Sequence, residues 1–408
     1  MSIEIRNAQP AEYGAFIDAV STAFLDRPDV AKIAETAATL WEPARTWAAF
    51  DDGRVCGTFR SWATELTVPG GAALRASAIA AVTVLPTHRR RGILTRLAAA
   101  EHAAIRERGE VVGLLYASEW PIYGRFGYGP ATRTATLTLD AARTGFHGPE
   151  ATGIELATQD EALAETLRGV FEAWRRHQPG EIWRREFRWL DDVGVRDSGW
   201  RPRWKGFIAV HRDRAGEADG YARYRTEEKW VNRQPASTIV VDELHALNED
   251  AATSLWRFLA DVDLVATVSA GGRSPSDRLP WRLVNGRAAS ASEIGDGLWI
   301  RLFDVPRALG ARTYEREDRL VLEVIDPELT APIRVALDAS RDGVTCTPTD
   351  RTPDLTVPIA ALGAAYLGGT RLGSAVIATG ADEHVPGALA RADALLRTAD
   401  EPWCSTFF

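Results

Sequence analysis

The chain reads as a mixed α/β protein in which a layered unit occurs twice and is followed by a third unit of different rhythm. Two observations predict this. The order hairpin, strand, helix, strand occurs twice, and strands alternating with helices indicate a mixed α/β layer with a central sheet. Past about residue 288 the pattern changes to a run of strands and then two helices, the order of an α+β unit. The 408 residues allow two to four domains, and the breaks in pattern fall at 1–150, 151–287 and 288–408.

The first region opens with a strand from Ile3 to Arg6 and helical segments over Ala11 to Phe24 and Val30 to Ala38. Strands from Thr46 to Asp51 and Arg54 to Leu66 are turned by Asp52-Gly53. The next segment, Ala81-Val82-Thr83-Val84-Leu85, is a short apolar strand running into the basic turn Pro86 to Gly92. A helix follows, because Ile93, Leu94, Leu97, Ala100, Ala104 and Ile105 recur at three- and four-residue steps, and Gly109 stops it. Val111 to Ala117 is another apolar strand. Beyond it lies the glycine-rich turn Ile122 to Pro130, and alternation over Ala131 to Leu139 predicts one more strand in this region.

In the second region a helix from Glu161 places Leu163, Leu167, Val170 and Trp174 on one face. Phe207 to His211 and Gly220 to Arg225 form a hairpin, followed by a strand (Thr238 to Leu244), a helix (Glu249 to Ala260) and a strand (Leu264 to Val268). Trp183, Trp189, Trp200 and Trp204 are expected to build its core or an oligomer contact. The third region carries strands at Gly297 to Phe303, Arg319 to Ile325, Arg334 to Asp338 and Gly343 to Pro348, read as one antiparallel sheet. Helices follow over Pro358 to Leu367 and Val385 to Leu396. The chain ends in Phe407-Phe408, and an exposed tail gains nothing from two such rings, so this tail is expected to be buried.

The chemistry concentrates at Arg89-Arg90-Arg91-Gly92. A turn that opens a helix presents unpaired N–H groups at the positive end of the helix dipole. Three arginines there add charge for an anion, a diphosphate above all. A solvated basic turn is the alternative. The second copy has His245 to Asp250 at this place, with neither glycine nor arginine, so it cannot bind a diphosphate the same way. Net charge is −8, which argues against nucleic acid as a partner. Cys56, Cys346 and Cys404 form neither a disulfide framework nor a zinc pattern, and the seven histidines show no ligand spacing, so no metal is expected. No signal-like start or bilayer-length apolar run is present in the sequence, and a reducing cytoplasm is the expected location.

Val82-Thr83-Val84 ahead of Arg-x-x-Gly at Arg89 to Gly92 resembles the acetyl-CoA site of GNAT acyltransferases. That family's pattern is Arg/Gln-x-x-Gly-x-Gly/Ala, and Leu94 stands here in the last place. Arg89 to Thr95, then Ile122 to Ala131, a length near 400 and a C-terminal Phe together resemble the Eis (enhanced intracellular survival) branch over the whole chain. The resemblance implies tandem GNAT-like domains, the second without cofactor, and a sterol-carrier-protein-like domain. It implies an acetyl-CoA-dependent N-acetyltransferase acting on primary amines of the aminoglycoside or lysine-like class, by direct transfer in a ternary complex, and a homohexamer. By the same resemblance Tyr123 is the general acid and the Phe408 carboxylate the base, while Val82, Thr83, Val84, Arg89, Arg90, Arg91, Gly92, Ile93, Leu94 and Ser118 hold the cofactor. Phe24, Asp26 and Trp41 lie where that branch builds its acceptor pocket. Two other readings remain open at this point: a non-catalytic acyl-CoA or lipid carrier, and a protein-lysine acyltransferase.

Overall fold

The computed structural model describes residues 3–148, 150–200, 203–340 and 343–408. In chain order come β1 (Glu4–Asn7), α1 (Tyr13–Ala23), α2 (Val30–Leu40), β2 (Thr46–Asp51), β3 (Arg54–Thr67), β4 (Ala73–Val84), α3 (Ile93–Glu107), β5 (Val112–Tyr116), α4 (Trp120–Tyr123) and β6 (Gly129–Pro130). Then follow β7 (Arg133–Asp140), β8 (Ile154–Leu156), α5 (Glu161–Arg175), α6 (Glu186–Asp192), β9 (Phe207–Arg212), β10 (Ala218–Glu227) and the small hairpin β11 (Trp230–Val231) and β12 (Gln234–Pro235). After these are β13 (Ser237–Ala246), α7 (Glu249–Ala260), β14 (Val265–Arg273), α8 (Leu279–Arg282), β15 (Ala289–Asp296) and β16 (Leu298–Leu302). The last stretch holds α9 (Val305–Ala311), β17 (Asp318–Ile325), β18 (Ile333–Ser340), β19 (Gly343–Pro348), β20 (Leu355–Pro358), α10 (Ile359–Ala365), α11 (Leu372–Ala375), β21 (Asp382–Glu383) and α12 (Ala388–Leu396).

Two seven-stranded sheets and one five-stranded sheet organise these elements. The first sheet has the order β1-β2-β3-β4-β5-β16-β6, and the second β15-β7-β14-β13-β10-β9-β8. Two strands therefore change sheets relative to expectation. The strand expected to open the C-terminal sheet, Leu298–Leu302, instead pairs antiparallel with β5 and β6. The strand expected to close the first region, Arg133–Asp140, lies between β14 and β15 of the second sheet. Each buries an apolar row in the other sheet: Leu298, Ile300 and Leu302 of β16, and Ala135, Leu137 and Leu139 of β7. The C-terminal sheet has the order β19-β18-β17-β20-β21, and its β17–β20 pair is parallel, so it is mixed rather than antiparallel.

The duplication is visible in the pairing. β4 and β5 run parallel and are joined through α3; β13 and β14 run parallel and are joined through α7. On one face of the first sheet Ile93, Leu97 and Ile105 of α3 pack with Phe59, Leu115 and Trp299. On the other face Leu66, Val112, Leu114 and Ile300 share a core with Leu362, Tyr366 and Leu396 of the third unit. That face is approached very closely. A Cβ on Gly129 would lie 2.1 Å from the Ala360 carbonyl oxygen, so only glycine lets α10 sit there.

Candidate active site

The local backbone makes the first site. β4 and β5 pair only from Ala76/Val112 to Ala78/Leu114, while β4 continues to Val84. Beyond that point the strands part and a cleft opens. A bulge opposite Phe59, with Ala81 at φ 51°, turns the end of β4. It is fixed by the Thr58 hydroxyl, which donates to the Ala81 carbonyl at 2.7 Å and lies 2.6 Å from the Thr83 hydroxyl. The arginine turn then bends twice through the left-handed region, at Arg90 (φ 64°) and Gly92 (φ 72°), before α3 begins at Ile93. No side chain caps α3, so its first N–H groups are open to a ligand. The second copy differs in the expected sense: the Asn248 side chain accepts from Ala251 N at 2.8 Å and caps α7 itself.

The resulting cleft has a volume of about 530 Å³. It brings together Val82, Thr83, Val84, Arg89, Arg90, Gly92, Ile93, Leu94, Ser118 and Tyr123, with Phe24 at its rim. Arg89 and Arg90 make no ion pair with any described residue and are free to meet an anion. Arg91 does not line the cleft. Its side chain lies 3.3 Å from the Thr87 carbonyl and 3.8 Å from Asp51, where His88 also binds. These residues fit an acyl-CoA: free arginines and open N–H groups for the diphosphate, and an unpaired β4 edge for an amide-bearing arm.

Tyr123 ends α4 and is 7% exposed. Its hydroxyl makes no hydrogen bond to a described residue. Burial, and then the nearby Glu119 charge, push its pKa up to about 12, so it is protonated at neutral pH. Tyr128, five residues on, is fully occupied: its hydroxyl lies 2.9 Å from His102 Nε2, whose other nitrogen meets Glu328 at 2.6 Å.

Family models match the chain at three places. An acetyltransferase (GNAT) domain matches residues 4–131, a second one matches 174–302, and a sterol carrier protein domain matches 305–405. A protein of Streptomyces griseus named as an uncharacterized N-acetyltransferase is 41% identical over 417 residues, covering 100% of both chains. N-acetyltransferase Eis of Mycobacterium tuberculosis is 36% identical, covering 75% of this chain and 74% of its own. The solved structure of Eis1 from Mycobacterium abscessus superimposes with a TM-score of 0.85 at 36% identity, covering 99% of this chain and 100% of that one. The chain belongs to the Eis-type GNAT N-acetyltransferases.

In this Eis-type enzyme the C-terminal tail lines a second cavity of about 350 Å³, distinct from the cleft. Ser405 is held by Glu181, which accepts from its N–H at 2.8 Å and its hydroxyl at 2.6 Å. Arg184 Nε donates to the Thr406 hydroxyl at 2.8 Å, Tyr116 to the Thr406 carbonyl at 3.1 Å, and Arg188 to the Phe407 carbonyl at 2.8 Å. The Phe408 ring meets Trp62 and Tyr116 edge-on, both at 5.2 Å. The tail is thus docked, but Phe407 remains 56% exposed, against the expectation that both rings are buried: its ring leans on Tyr116 at 4.9 Å from outside. Tyr123 and Phe408 therefore line different cavities. Tyr116 touches the tail, while Ser118, two residues on, lines the cleft.

The three expected acceptor residues separate. Phe24 sits at the cleft. Asp26 is exposed and lines neither cavity, and its carboxylate accepts from Arg27 N at 2.8 Å. Trp41 lines the tail cavity, packed by Tyr13 and stacked on Trp200 at 6.1 Å. Of the tryptophan cluster, Trp189 is core and Trp204 packs against that core, while Trp183, Trp200 and Trp204 also line this cavity. Sequence reasoning did not single out Glu181, Arg184, Arg188, Arg60 or Trp62; the run Trp183-Arg184-Arg185 was the available signal. Among the described residues no group of three or more His, Cys, Asp or Glu could hold a metal ion, and no helix is long and apolar enough to cross a membrane.

Proposed function

We propose that this acetyltransferase moves an acetyl group directly from acetyl-CoA to a primary amine, of an aminoglycoside or a lysine-like molecule, in a ternary complex. GNAT acetyltransferases use acetyl-CoA, which supplies an activated thioester. The observation that carries the reading is the cleft itself, which gathers the β4 edge, two unpaired arginines, an uncapped helix and an unpartnered phenol in one place. Arg89, Arg90 and the first N–H groups of α3 hold the diphosphate. Ser118 and the Val82 to Val84 edge hold the amide-bearing arm, and N–H groups near Val82 stabilise the charge that develops on the carbonyl oxygen.

An ammonium is not nucleophilic, so it first gives a proton to the Phe408 carboxylate, which passes it to solvent. The C–N bond forms and the C–S bond breaks. Tyr123 donates its hydroxyl proton to the departing sulfur and takes back the proton that the new amide nitrogen loses. The protonated state that burial enforces on Tyr123 suits this role. The test is thiol release from acetyl-CoA with kanamycin and lysine as acceptors. Wild-type turnover that falls on Tyr123→Phe is expected; equal turnover in both refutes the assignment of the acid.

A further inference from the structure

The cavity that receives Phe408 has an unusual charge inventory. Seven arginines and three aspartates line it. Every one of those aspartates is paired: Asp191 with Arg196 at 2.7 Å, Asp192 with Arg188 at 3.4 Å and Asp197 with Lys32 at 2.7 Å. Arg184 and Arg223 are committed to buried Glu243. Arg203 is spent on the Gly194 carbonyl, to which its Nε donates. Two guanidinium groups, those of Arg60 and Arg185, are left over. Arg60 is 8% exposed, yet makes no hydrogen bond and no ion pair with any described residue. It is sandwiched on ring faces instead, 4.2 Å from Trp41 and 5.1 Å from Trp62. Arg185 has no carboxylate partner either and lies 4.9 Å from the Trp62 ring and 4.5 Å from Phe187.

A buried cation normally carries its counter-ion with it. Here a planar fork of donors is locked by stacking, faces a cavity and is unsatisfied. Burial, and then the charge of Arg185, pull the Arg60 pKa down to about 9, which an anion placed between them would reverse. Arginine forks match carboxylates in a bidentate manner, and stacking on indole fixes the plane of approach. Trp62 carries both Arg60 and the Phe408 ring, so a compact amino acid can touch the arginines while its amine faces the C-terminus.

We propose that this cavity is an acceptor pocket for amines that also carry a carboxylate, with Arg60 and Arg185 as its anion subsite. A polycationic amine has no group to pair with these two guanidinium groups and is disfavoured relative to an amino acid. The proposal rests on the acetyl-transfer reading above for the fate of the amine; the subsite itself stands on Arg60 and Arg185.

The experiment compares two acceptors that differ only in the carboxylate, 6-aminohexanoate and hexylamine, together with kanamycin, by thiol release from acetyl-CoA. A charge-assisted pair predicts kcat/KM at least about tenfold higher for 6-aminohexanoate than for hexylamine. Arg60→Gln brings that ratio towards one, and Arg185→Gln, at a half-buried position, lowers it without risk to the core. A ratio near one in the wild type, a preference for kanamycin, or a ratio that both variants leave intact overturns the proposal. If no amine releases thiol, the transfer reading fails separately. Hexanoate is then titrated against the tryptophan fluorescence of the lining. Saturable quenching that Arg60→Gln abolishes supports the subsite, and no quenching overturns it.

Discussion

Moving the C-terminal carboxylate by one residue, while leaving every side chain in place, isolates its role as a base. A single glycine added after Phe408 does this. The tail is fixed before that point by Glu181 on Ser405, Arg184 and Tyr116 on Thr406, and Arg188 on the Phe407 carbonyl. The rings therefore stay, and the carboxylate moves by about 3.8 Å, one Cα step. A reacting group misplaced by about 1 Å can cost on the order of 10²-fold, so kcat is expected to fall by about 10²–10³, or roughly 3–4 kcal/mol. The KM for acetyl-CoA should hold, because the cleft and the tail cavity share no lining residue. Deleting Phe408 adds a second effect. It removes two edge-on ring contacts at 5.2 Å, each about 0.5–1.5 kcal/mol, and lowers the melting temperature by a few degrees. Phe408→Ala has the opposite profile, losing the ring and keeping the carboxylate. The assay is continuous thiol release at saturating amine, with thermal melting alongside. A glycine-extended enzyme with wild-type kcat refutes the base assignment.

Four further outcomes are expected. Tyr123→Phe should lower kcat by about 10²–10³ with little change in acetyl-CoA affinity. Because the donor is the neutral phenol and its pKa is raised to about 12, wild-type activity should show no alkaline fall from this group up to pH 10; a descending limb that appears below pH 10 and vanishes in Tyr123→Phe contradicts that. Arg89→Ala and Arg90→Ala should each raise the KM for acetyl-CoA by about tenfold or more, with kcat preserved, and the effect should shrink in high salt. Arg60→Met should stabilise the protein at pH 7 by about 1–4 kcal/mol in urea unfolding, since it deletes a buried unpaired charge. The folded pKa of Arg60 lies below its unfolded value of 12.5, so the destabilisation is full below pH 9 and fades above it; the advantage of Arg60→Met should narrow by pH 10, and a less stable variant at pH 7 refutes the argument. Gly129→Ala should destabilise by about 2–4 kcal/mol, read from the melting curve, because its Cβ would overlap the Ala360 carbonyl on α10.

Local structure was legible where periodicity and turn chemistry speak. The helix after the arginine turn, the helix Glu249–Ala260 and the strands at Thr46 and Arg54 fall where their patterns place them. So does the cleft, because one short segment carries both its strand edge and its charges. Partner choice was not legible. Leu298–Leu302 reads as a buried strand in any sheet, and nothing in five apolar-flanked residues says which edge it fills. The same holds for Arg133–Asp140. The lining of the tail cavity was not legible for a different reason. Arg60, Trp62 and Arg185 are far apart in sequence and have no spacing rule; only the packing of β3 against the loop before α6 brings them together. Asp26 was placed by the resemblance alone; it lines neither cavity, and one of its carboxylate oxygens accepts from the next residue's N–H.

The exchange of strands between sheets sets an order in time. β16 is an interior strand of the catalytic sheet, yet it is encoded at the very end of the second GNAT match. A nascent chain that has just released residue 131 holds the arginine turn, α3 and Tyr123, but β5 and β6 still present open edges. The sheet closes only when residues 298–302 emerge, and the proposed base arrives last of all. Pairings of such long sequence separation are slow to form and leave unpaired strands exposed meanwhile. The first GNAT match made as a separate fragment should therefore be sticky and inactive, and adding residues 298–302 in trans is the smallest supplement that could close it.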